Sequence, residues 1–156
     1  MKTRELQTLW WDWLSTCERA LRSMHEQTAA LTLRDVERVE RIQPELDHLL
    51  GLIRDIDDRA AACAAKLAEE FGAEPNLRSL VQALPEAEAQ QVQALANRVI
   101  VAARNLQNVA DRNRALVENE LDYINGTLTM IAQSATDPKH PFEGNVRAAV
   151  LLDQVA

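Results

Sequence analysis

The residues of this chain equipped to hold a metal or move a proton are three histidines, two cysteines and 24 acidic side chains. His25, His48 and His140 lie in separate segments, and no two of them stand at i, i+4. Neither Cys17 nor Cys63 has a His or Cys partner at metal-ligand spacing. Glu118 and Asp122 share one helical face, as carboxylates of a di-iron helix site would. Such a site also needs Glu-x-x-His units on two facing helices, a pair the chain does not supply. Asp55, Asp57 and Asp58 cluster beside Arg59, and a solvated acidic face accounts for them. No phosphate-cradling glycine loop is present, and no serine stands in a nucleophile-elbow context. The expectation is a protein with no enzyme activity, no metal and no cofactor.

The surrounding pattern is helical. The chain has 156 residues, one domain's worth, with 47% apolar residues dominated by Leu, Ala and Val. Four Gly and five Pro leave little material for hairpin turns, which argues against a sandwich or barrel. A net charge of -7 discourages general nucleic-acid binding, and the one dense basic stretch, Arg98, Arg104, Arg112 and Arg114, has acidic residues close by. No apolar run approaches the roughly 20 residues of a membrane helix. Lys2, Arg4 and Glu5 interrupt anything like a secretory signal. These features predict a cytoplasmic protein with reduced, buried thiols.

A first helix is predicted from about Thr3 to Leu31, with Leu6, Trp10, Trp13, Cys17, Ala20 and Met24 alternating in steps of four and three. Thr32 followed by Asp35 reads as a capping box, so Thr32 is expected to start the next helix after a tight turn. The second helix, about Leu33 to Phe71, carries Val39, Ile42, Leu46, Leu49, Ile53, Ile56, Ala60, Cys63 and Leu67 in the same alternation. Pro44 interrupts it, as a kink in a continuing helix or as a break at Gln43. Gly72 should close that helix, and Glu74-Pro75-Asn76 is connector. Leu77 to Leu84 reads as a short helix. Pro85 then opens a third long one that runs to about Ala132, roughly 70 Å of helix.

The long helix bears the stripe Val92, Leu95, Val99, Ala102, Leu106, Val109 and Asn113. The apolar line then passes to Val117, Leu121, Ile124, Leu128 and Ile131. Asn113 has two readings, a seam residue that specifies register or an amide that binds the backbone of a peptide client. The fold expected is all-α, a long antiparallel helical hairpin or bundle of three main helices with a short connecting helix. Residues 1–135 would be the bundle, and residues 136–156 a flexible tail with a short amphipathic helix containing Val146 and Val150.

This combination resembles the FlgN-type flagellar export chaperones. The resemblance lies in Ala29-Ala30-Leu31-Thr32-Leu33-Arg34-Asp35-Val36, leading to Leu49-Leu50 and Arg59. It lies most strongly in Asn105-Leu106, Asn108, Asn113, Leu116-Val117, Leu121, Tyr123-Ile124 and Leu128, and extends to the tail after Pro138. Pro44 and the cluster Trp10, Trp11, Trp13 depart from the family's pattern. The resemblance implies a cytoplasmic chaperone that binds the C-terminal segments of hook-filament junction proteins. It would prevent their premature assembly and deliver them to the flagellar export apparatus at its gate, without consuming ATP.

The long helix exceeds what the first two can cover, so its second half and the tail are the expected client surface. That surface comprises Asn113, Val117, Leu121, Ile124, Leu128, Ile131, Phe142, Val146 and Val150. An amphipathic client helix laid against such a ladder is a recurring solution. Two other uses stay open, homodimerisation through the ladder and a structural or regulatory coiled-coil adaptor without an export role. Neither nucleic acid nor membrane insertion is expected.

Overall fold

A computed structural model describes residues 1–136, which are all-α with no strand among them. The helices are α1 (Arg4–Thr32), α2 (Val36–Glu70), α3 (Leu77–Ala83) and α4 (Glu86–Thr136). Residues 1–113 form one compact unit, and a second begins at Arg114.

In the first unit, α1 and α2 are joined by only Leu33, Arg34 and Asp35. Asp35 N–H donates to the Ala30 carbonyl at 2.9 Å and Arg34 N–H to that of Leu31 at 3.2 Å. This double closure satisfies two of the helix's orphan carbonyls and requires a left-handed residue between its two bonds. Arg34 takes that conformation at φ 55. Because the closure carries α1 through Thr32, the expected cap moves. Thr32 is the last residue of α1, its hydroxyl donating to the Thr28 carbonyl at 2.8 Å. Asp35 is the N-cap of α2 and accepts from Arg38 N–H at 3.1 Å.

The same closure ends α2. Ala73 N–H donates to the Ala68 carbonyl at 2.8 Å and Gly72 N–H to that of Glu69 at 3.1 Å, with Gly72 left-handed at φ 64. Helix α2 runs through Pro44 unbroken, so the ring removes one backbone hydrogen bond without ending the helix. Asn76 caps α3 by accepting from Ser79 N–H at 2.8 Å.

The helix directions follow from the pairs that meet. Lys2 contacts Glu70 at 3.5 Å and Gln27 contacts Gln43 at 3.0 Å, so one index falls as the other rises and α1 and α2 are antiparallel. Thr3 with Glu88, Cys17 with Ala102, and Thr28 with Asn113 each lie 85 residues apart. A constant separation means that α1 and α4 run parallel and in step. The core contains Leu6, Trp13, Cys17 and Met24 of α1, Leu46, Leu49, Ile53 and Leu67 of α2, Leu80 of α3 and Val92 of α4. Burying each Leu or Ile there contributes about 1.5–3 kcal/mol before chain entropy is subtracted.

Candidate functional site

Among the described residues, the groups able to do chemistry face water or pack against the core. His25 and His48 are exposed, as are Asp55, Asp57 and Asp58. Arg59 sits 3.8 Å from Asp55, and Arg114 sits 3.1 Å from Glu118, both along one helix. Such exposed pairs contribute little to stability. One Glu-x-x-His unit does occur, Glu45 to His48 in α2, and both of its ends are exposed. Among the described residues no group of three or more His, Cys, Asp or Glu is arranged to hold a metal. None of their helices is long and apolar enough to cross a membrane.

Both thiols are pushed above the ordinary cysteine range. Burial alone does this at Cys17; at Cys63 burial leads, with Glu5 and Glu70 adding to it and Lys66 opposing. A thiol so disfavoured as thiolate is a poor nucleophile at neutral pH. Packing is the role these positions show.

The aromatic cluster splits by face. Trp13 is buried, Trp10 is half-buried, and Trp11 is 51% exposed with the Arg98 guanidinium 5.5 Å from its ring. Gln7, Trp11, Gln91, Ala94, Leu95 and Arg98 line an open hollow of about 250 Å³. Arg98 is its one ionisable group, which suits no acid–base chemistry.

Asn113 is 4% exposed within the first unit. Its Nδ2 donates to the Met24 carbonyl at 3.0 Å and to Gln27 Oε1 at 2.9 Å. Its Oδ1 accepts from the Thr28 hydroxyl at 2.5 Å. Both amide protons and the amide oxygen are therefore engaged by one turn of α1, and the hydrogen bonds favour the register reading of this residue. No sequence signal singled out Gln27 and Thr28 as its partners, because the pairing depends on a parallel register between distant segments.

The second unit presents the ladder. Val117 is 40% exposed, Leu121 and Ile124 are each 48%, and Ile131 is 56%. Leu128 is half-buried. Tyr123 and Met130 add exposed surface at 60% and 69%. Isolated exposed apolar side chains are ordinary, whereas these recur at helical spacing along one segment. Phe142, Val146 and Val150, expected to extend this surface, lie outside the described residues.

A model of the family described as FlgN protein matches residues 1–140. No curated protein and no solved structure matches the chain.

Proposed function

The chain belongs to the FlgN family, and from that membership we propose that it binds the C-terminal segments of hook-filament junction proteins as a cytoplasmic export chaperone. The general role of the family is chaperoning flagellar export. In this reading the client segment is held until it reaches the export gate and is kept from assembling early.

The observation that supports the reading is the exposed ladder. Val117, Leu121, Ile124 and Ile131 are 40–56% exposed although their types and spacing are those of a packed seam. A client helix carrying its own apolar stripe would cover them, each Leu or Ile contributing about 1.5–3 kcal/mol before ordering costs. Phe142, Val146 and Val150 are proposed as the tail's share of the same surface. With both amide protons of Asn113 engaged by α1, its part in this reading is to set where the ladder begins.

Calorimetric titration with C-terminal peptides of the junction proteins tests this, alongside an Ile124→Asp, Leu128→Asp double substitution. Saturable binding is expected for the native chain, and a loss of about 100-fold or more in the substituted one, with helicity retained. No binding by the native chain would move the assignment to the coiled-coil adaptor. Sedimentation equilibrium reads the third use of the ladder, since a constitutive dimer would place a second copy on it.

A further inference from the structure

We infer that two polar clasps on the α1–α4 seam fix its register, and that they thereby set which part of α4 is left for a partner. A three-residue link ties α1 to α2, so the register of that pair follows from the turn. Nothing comparable ties α1 to α4. Between α2 and α4 lie residues 71–85, with one seven-residue helix, and that connector leaves the parallel pairing free to choose its step.

The apolar stripe cannot choose it either. A slide of seven residues, about 10 Å along the helix, puts Val99 where Val92 was, Leu106 where Val99 was and Val109 where Ala102 was. Apolar still faces apolar. Such a slide would also carry Leu116 and Val117 to the places of Val109 and Ala110, which pack against the core.

Polar groups break this degeneracy, and they stand near the two ends of the seam. At one end Thr3, fully buried, donates both its N–H (3.3 Å) and its hydroxyl (2.7 Å) to Glu88 Oε2, and its hydroxyl accepts from Gln7 Nε2 at 3.0 Å. At the other, Asn113 meets Met24, Gln27 and Thr28 as described above. Both clasps read the same separation of 85 residues. In any slipped register the buried amide and the buried threonine lose their partners, a loss that leaves polar groups unsatisfied away from water. A single buried Asn specifies coiled-coil register by the same physics.

The register inference stands without the chaperone reading; its consequence for a client rests on that reading. Disulfide trapping separates the two. Gln7 and Gln91 touch, their amides 3.4 Å apart, and Arg98 lies one heptad further along the same face of α4. In a Cys63→Ala background, with Cys17 left in its buried place, the pair Gln7→Cys and Gln91→Cys reports the native step. The pair Gln7→Cys and Arg98→Cys reports the slipped one.

The clasped chain should form the first disulfide and not the second. Asn113→Leu, alone and combined with Glu88→Ala, should raise the slipped product about tenfold or more while helicity is kept. Disulfide patterns unchanged in both variants would overturn the inference. If the slipped product rises, junction-protein peptides should bind the unclasped chain more weakly than the parent. Failure of the parent itself to bind them would instead count against the chaperone reading and leave the register result intact.

Discussion

Two stretches of α4 use the same residue types at the same spacing and meet opposite fates. Val92 and Leu95 are 0% and 5% exposed, whereas Leu121 and Ile124 are each 48% exposed. Periodicity decides which face of a helix is apolar. It does not decide whether anything covers that face, and most helical stability in a folded chain comes from the covering. The first unit spends its apolar surface on its own fold. The second holds apolar surface that has not been spent within the described residues.

The most direct way to break this contrast is truncation in each region. Leu49→Ala, at a fully buried position, should lose about 3 kcal/mol in urea unfolding followed by circular dichroism. Leu121→Ala should cost no more than about 0.5 kcal/mol. Equal losses would mean that the ladder is already covered in the free chain, and the client surface would have to be sought elsewhere.

Glycine substitution sharpens the contrast with two changes of opposite sign. Gly72 is left-handed at φ 64, and an added Cβ would meet nothing within 4 Å, so only the backbone conformation resists it. Gly72→Ala should therefore cost about 1–2 kcal/mol. Gly126 is inside α4, again with nothing within 4 Å of an added Cβ. Gly126→Ala should stabilise its helix by up to about 1 kcal/mol. If Gly126→Ala also weakens peptide binding, close approach of the client backbone is the reason for a glycine there.

The smallest expected effect concerns the thiols of the first unit. Burial raises Cys17 in the folded state, so the fold favours the protonated form. That contribution is fully present below the unfolded thiol's pKa and is lost as pH rises through the folded value. Stability measured at pH 7 and again above pH 9 should fall slightly further in the native chain than in Cys17→Ala. Maleimide should label Cys63, which is half-buried, well before Cys17, which is 1% exposed. Equal labelling rates would show that the core of the first unit opens as readily as its rim.

Much of the fold was legible because the stripes are long and clean. The alternation from Ile42 to Leu67 identified α2 and its buried face, and the stripe's continuity carried the helix through Pro44. Gly72 ended that helix where a left-handed residue was needed. At the start of α2 the cap lies three residues beyond the Thr32 that the sequence pattern suggests. Thr32 has the chemistry of a cap, but Asp35 takes the position because Arg34 adopts a left-handed conformation without being a glycine. Side-chain identity carries no mark of that.

The candidate site divides in the same way. Sequence alone determined that Val117 to Ile131 would form an apolar line, because a helix of fixed period places those residues together wherever it lies. It also determined the family to which that line belongs. Only the tertiary structure decided that Asn113 gives both amide protons to Met24 and Gln27, and that Thr3 closes on Glu88. Those pairs are 85 residues apart or more, and their meeting depends on the step at which two parallel helices pack. Local propensity is a property of neighbours along the chain, whereas that step is set by groups that become neighbours only once the core has formed.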